Sequence, residues 1–256
     1  MKAAHLLQPT PGSLAISDSS TLSRNALVTG IGFAIYGFTI GVWRSPWMGL
    51  FVAAKMPLLI ALTLGFNSLL NGLFGMLLGA RLGLAGSLNA LLSAFAISAL
   101  ILGSLGPVAL FLAASMPSPT SASANTAHSA QVLAHTLLIA IAGLAGVLRL
   151  GRLLDEHAIS RTAARATLAA WIIGNAFLGS QFAWILRPFF GSPNLEVAFL
   201  RPNPMRGSFY ETIWSMATSV IGNPQDLIAP ACLVLLPLLF WWMLRNDSNQ
   251  QPTTTQ

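Results

Sequence analysis

The chain has 256 residues, 54% of them hydrophobic and 8% charged, whereas an ordinary soluble domain is about a quarter charged. That composition excludes most soluble folds. The net charge of +6 comes from basic residues standing singly between apolar runs, a pattern of membrane topology signals and lipid-headgroup contacts that leaves no place for a nucleic-acid partner. Cys232 is the one cysteine, which excludes an intramolecular disulfide and a thiolate metal cluster within one chain.

The apolar runs each approach the roughly 20 residues needed to cross a hydrocarbon core. They lack the period-2 alternation of barrel strands, and unpaired backbone amides are not tolerated in lipid, so the fold class is all-α: a polytopic membrane helix bundle of about six transmembrane helices plus one short interfacial helix. Residues 1–25 hold Pro9, Pro11 and a Ser/Thr-rich run, and read as a mobile, retained tail. The first span is expected over 26–43, closed by Trp43 and Arg44 as interfacial anchors, with Ser45-Pro46 turning the chain. The second is expected over 57–78, because Pro57 suits a first helical position where its missing N–H costs nothing. The third is expected over 87–114, passing through Gly103, Gly106 and Pro107 and long enough to tilt or kink.

Residues 116–129 carry Ser, Thr and Pro with no lysine or arginine, and read as a loop. The fourth span is expected over 130–148 and the fifth over 166–186. Between them Arg149, Arg152, Arg161 and Arg165 form a basic loop. The contrast between these two loops places 149–165 in the cytoplasm by the positive-inside rule. Both termini then lie inside, with eight basic residues inside (Lys2, Arg24, Arg81, the four of the basic loop and Arg245) against five outside (Arg44, Lys55, Arg187, Arg201 and Arg206). The expected location is the bacterial inner (plasma) membrane, multi-pass.

After the fifth span, Gln181, Trp184 and Arg187 recur at spacing three and line one edge of its last turns, Arg187 snorkelling outward before Pro188 ends the helix. Ser208 and Glu211 have the spacing of a capping box, so a helix is expected over 209–221, ending at Gly222. It is too short to span and carries Phe209, Ile213, Ala217 and Val220 at helical spacing, as an interfacial helix would. Asn223-Pro224 with Asp226 then opens a sixth span over 224–244, before a polar tail over 246–256.

Gln181-x-x-Trp184-x-Leu186-Arg187-Pro188-Phe189-x-Gly191, followed by Phe199-Leu200-Arg201 and preceded by a span that begins near Lys55-x-Pro57-Leu58-Leu59, resembles a family of uncharacterised bacterial polytopic membrane proteins. The matching positions are Trp184, Arg187, Pro188, Phe189 and Gly191, and the resemblance covers most of the chain. The second and third spans are more distantly similar to Yip-type membrane proteins, although the Asp-Leu-x-Gly-Pro signature of that group is not evident. Neither resemblance implies an activity.

The chemistry-bearing residues divide into two groups. Gln181, Trp184, Arg187, Arg201, Arg206, Tyr210 and Glu211 could form an outer-face mouth for an anionic ligand, a lipid headgroup or a protein, arginine being well suited to phosphate and carboxylate. The bland alternative is anchoring at the lipid–water boundary. Within the spans the polar positions include Asn67, Asn71 and Asn175, with Thr63, Ser68, Ser93, Ser98, Ser180 and Gln181. Such groups ordinarily bond between helices, and otherwise line a polar path or pocket. His128 and His135 share a helix face and read as wet interfacial histidines, and Asp155, Glu156 and His157 as a solvated salt-bridge network. Gly37/Gly41 and Gly75/Gly79 have the spacing of close helix packing, sealing this bundle or joining subunits.

No nucleotide-binding or hydrolase motif occurs, and no metal or other cofactor is expected. The expectation is therefore a non-enzymatic integral membrane protein: a scaffold, anchor or accessory subunit whose partners are the bilayer and a membrane protein or a second copy of itself. The alternative is a channel or transporter for a neutral or lipid-like substrate, using the polar positions of spans two and five.

Overall fold

The computed structural model describes residues 19–211, and these form two separate units, Met1–Met205 and Arg206–Gln256. The first is all-helical, with no strand among the described residues. Its helices are α1 (Ser19–Val42), α2 (Pro46–Leu77), α3 (Leu84–Ser104), α4 (Gly106–Ser115), α5 (Ala124–His157) and α6 (Arg161–Ile185). All but α4 are long and apolar enough to cross a membrane.

Several helices begin earlier or run longer than the hydropathy pattern suggests, for local reasons. Ser45 accepts a hydrogen bond from the Met48 amide at 3.1 Å and Pro46 takes the first helical position, so α2 starts there and Pro57 lies inside it. Lys55, expected at the very start of the second span, consequently lies inside α2. The third apolar run divides at Leu105: α3 ends, and Gly106-Pro107 opens α4. Arg149 and Arg152 belong to α5, and Arg161 and Arg165 to α6, leaving residues 158–160 as the connection. Ser160 caps α6 by accepting from the Ala163 amide at 3.1 Å.

Glycine decides how closely α1 sits on its neighbours. A Cβ on Gly37 would stand 2.7 Å from the Val52 carbonyl oxygen, and one on Gly41 would stand 2.5 Å from that of Met48. The Gly37/Gly41 pair thus seals α1 against α2 within the bundle. Gly75 faces Ser87 and Trp171, while Gly79 turns the chain at φ +82 and accepts a bond from the Ile159 amide at 3.0 Å. That bond ties the α2–α3 turn to the α5–α6 turn. At the opposite end the Trp43 indole donates to the Pro117 carbonyl at 3.0 Å.

Helix α1 lies against α2, α3 and α4. On its far side α2, α3, α5 and α6 make a four-sided ring, each packed on the next and the last on the first. One core, around Phe33, Tyr36, Met48 and Val52, fills the Trp43 end. Another, around Leu82, Leu150, Leu154 and Trp171, fills the Gly79 end.

The second unit is described over 206–211. Ser208 and Glu211 make both bonds of the capping box: the Ser208 amide donates to Glu211 Oε2 at 3.1 Å and the Glu211 amide to Ser208 Oγ at 3.1 Å. Helix begins at Phe209. The remainder of the interfacial helix expected over 209–221, the sixth span over 224–244 and both tails, apart from the start of α1, lie outside the described residues.

Candidate functional site

Two regions hold the sequence-selected residues. At the Trp43 end, the segment after α6 is tied to the helices by cations from elsewhere. Arg187 folds back rather than outward: its Nη1 donates to the Trp184 carbonyl at 2.8 Å and its guanidinium carbon lies 3.7 Å from the centre of the Trp184 ring. This satisfies a carbonyl at the helix C-terminus, where a cation is electrostatically favoured. Arg44 reaches the Ser192 carbonyl through Nε and the Leu195 carbonyl through Nη2, each at 3.2 Å. Gly191 makes room for it: φ is +64, and an added Cβ would stand 3.0 Å from Arg44 Cγ. Lys55 is fully buried, its Nζ donating to the Pro188 carbonyl at 2.7 Å and lying 5.0 Å from the centre of the Phe199 ring.

Of the set expected on the outer face, these contacts fix Trp184 and Arg187. Trp184 and Arg187 are joined to each other, Gln181 keeps a buried Oε1 without a partner, and Arg201 follows Phe199 in the segment after α6. Arg206, Tyr210 and Glu211 belong to the second unit, where Glu211 is occupied as a helix cap. The cations that hold the segment, Arg44 and Lys55, were not among the sequence candidates. Their carbonyl partners lie 133 or more residues away, so no local pattern reveals them.

Close by, His135 is buried rather than wet. It is 1% exposed, and its Nδ1 shares a 2.8 Å hydrogen bond with the Tyr36 hydroxyl. Gln131, on the same face, donates to the Ile40 carbonyl at 2.9 Å, and His128 stacks on Trp43. Among the described residues no three His, Cys, Asp or Glu side chains gather as metal ligands.

The second region runs from the middle of the spans toward the Gly79 end. The structure brings Asn67, Asn71 and Asn175 to one seam between α2 and α6. The Trp171 indole donates to the Asn71 backbone carbonyl at 2.8 Å, and Gly174 faces the Asn67 amide, where a Cβ would stand 3.0 Å from Nδ2. Asn175 donates from Nδ2 to the Trp171 carbonyl at 2.7 Å, which turns its Oδ1 away from the helix. Few of these intramembrane polar groups bond between helices as expected. Thr63 donates to the Leu59 carbonyl at 2.8 Å and Ser68 to that of Gly65 at 2.9 Å, both within α2, while Ser98 of α3 does cross to the Ala142 carbonyl of α5 at 2.9 Å. Buried atoms without a partner remain on Asn67, Asn71, Ser87, Thr167 and Asn175.

Beside this seam, inside the four-helix ring, is a cavity of about 490 Å³. Trp171, Leu91 and Leu150 line it toward the Gly79 end, and Leu59, Phe95 and Ile139 on other sides. Its polar members are Thr63, Ser98 and Asn175. Ile172 and Ala176 line it while remaining exposed, so it opens sideways past α6. Gly143 and Gly179 face it, and a Cβ on Gly143 would meet nothing within 4 Å, whereas Gly146 lets α3 and α5 touch, a Cβ there standing 2.6 Å from Ser98 Oγ. Sequence reasoning identified Asn175 but not the cavity, which arises from packing four helices around glycine.

No family model, no curated protein and no solved structure matches the chain.

Proposed function

We propose that this chain is a non-enzymatic multi-pass protein of the bacterial inner membrane, with both termini cytoplasmic, that takes a lipid-like molecule from the bilayer into the cavity between α2, α3, α5 and α6. The observation that carries this reading is the cavity's combination of size, lining and direction of opening. Its volume of about 490 Å³ lies in the range of small-molecule sites. It opens sideways at mid-span, so what reaches it arrives through hydrocarbon. Apolar cavities stay dry and take apolar guests. The placement of arginines supports the orientation.

The test uses the purified full-length chain in nanodiscs and an alkane bearing a photoactivatable diazirine. Saturable labelling of Phe95 and Ile172, beyond any at the exposed Phe111, is expected, and Gly143→Phe should abolish it by filling the space. Unsaturable labelling equal at all three positions overturns the reading. So does an efficient thiol cross-link between Gly143→Cys and Cys232, because it would put the chain's own C-terminal segment in the cavity.

A second reading, a scaffold that anchors a membrane protein partner, is favoured by the tied segment at the Trp43 end. There Trp47, Leu50 and Phe199 are exposed beside the Phe51–Phe199 ring pair. Co-purification of a stoichiometric partner from native membrane, lost in Trp47→Ser/Leu50→Ser, tests it.

A further inference from the structure

We infer that the guest of the mid-span cavity is a headless hydrocarbon, a long alkane or an isoprenoid hydrocarbon with no polar end, rather than the acyl chain of a membrane lipid. This rests on the cavity reading and names its ligand class. The wall is the first reason. Carbon makes up nearly all of it, and among the described residues no charged side chain lines it. Its three polar side chains each donate to a backbone carbonyl, Thr63 to that of Leu59, Ser98 to that of Ala142 and Asn175 to that of Trp171. A hydroxyl, ester or carboxylate brought inside would be stripped of water, which costs free energy unless a partner replaces it.

Depth is the second reason, because it works against a chain held by its head. Helix α3 has 21 residues and a length of about 31 Å, close to the hydrocarbon thickness, and its central residue, Ala94, lines the cavity. Ile172, exposed at the sideways opening, is one position from the centre of α6. The opening therefore lies near the bilayer midplane, about 15 Å from either headgroup layer. Each leaflet is one acyl chain deep, so an anchored chain arrives there with its methyl end and has almost nothing left to insert. The space is far larger than that remnant. An apolar cavity of about 150 Å³ holds one benzene, so on that scale about 490 Å³ has room for roughly twenty carbons. Lining atoms that a short chain end leaves untouched forfeit their dispersion contacts. A molecule without a head can enter whole and supply them.

The experiment compares two probes on the full-length chain in nanodiscs: the free diazirine alkane, and a phosphatidylcholine carrying the diazirine at the end of a palmitoyl chain. Labelling is read at Phe95, in the cavity, against Ile141, which is exposed two positions from the lining Gly143 and so at the same depth. The free alkane should label Phe95 in excess of Ile141, and unlabelled hexadecane or squalane should abolish that excess. The phospholipid probe should label Phe95 no more than Ile141. Excess labelling of Phe95 by the phospholipid probe overturns the inference while leaving the cavity reading intact. Palmitic acid displacing the alkane at a lower concentration than hexadecane also overturns it, by giving a polar head a place in the site. Failure of the free alkane to label Phe95 in excess is the distinct failure of the cavity reading itself.

Discussion

The Trp43 end and the α2–α6 seam both bury polar groups, and both keep some without a partner, Gln131, His135 and Gln181 among them at the Trp43 end, but only the Trp43 end ties a segment down with cations. There three cations are matched to carbonyls: Lys55 to Pro188, Arg44 to Ser192 and Leu195, Arg187 to Trp184. The helices there approach through glycine until backbones touch. Along the seam, Asn67, Asn71 and Thr167 are at most 1% exposed yet keep polar atoms without partners, and a cavity stands beside them. A buried polar group without a partner costs about 1–3 kcal/mol, so a region that retains several is not optimised for stability. One region holds the bundle together, and the other keeps space within it.

The contrast can be broken by replacing a polar group in each region and comparing thermal unfolding of the purified chain in detergent. The largest effect is expected from Lys55→Met, which removes a bond from a charged donor to the Pro188 carbonyl and two ring contacts: a loss on the order of 3 kcal/mol. Gly191→Ala forces a side chain into φ +64 against Arg44 and should cost about 2 kcal/mol. Tyr36→Phe leaves His135 without its hydroxyl partner and should cost about 1 kcal/mol. At the seam the sign changes. Asn71→Leu removes two side-chain atoms that have no partner and should leave stability unchanged or raise it by up to about 1 kcal/mol, with the unfolding temperature moving accordingly. A destabilisation by Asn71→Leu as large as that of Lys55→Met would erase the distinction between the regions.

What the sequence discloses follows the range of the interaction. The long apolar helices are read from hydropathy because each carries its own signal. The capping box at Ser208 and Glu211 and the close packing of Gly37 and Gly41 are likewise written within a few residues. The start of α2 was misplaced because two prolines, Pro46 and Pro57, both fit a first helical position, and only the Ser45 cap distinguishes them. The basic loop proved mostly helical because arginine is a good helix former and its charge says nothing against a helix end. Asn67, Asn71 and Asn175 stood out as polar residues in apolar runs. Their meeting at one seam depends on how α6 returns against α2, which no periodicity encodes. The Tyr36–His135 pair, 99 residues apart, was hidden for the same reason.

Lys55 also imposes an order on biogenesis. Its carbonyl acceptor lies 133 residues further along the chain, which at about 5–20 residues per second means about 7–27 seconds of translation before Pro188 exists. Throughout that interval Lys55 has no Pro188 carbonyl to donate to, and a charge there is best accommodated at headgroup depth, where water solvates it. Emergence of the segment after α6 supplies that carbonyl, so a stretch made late completes the setting of a helix made early.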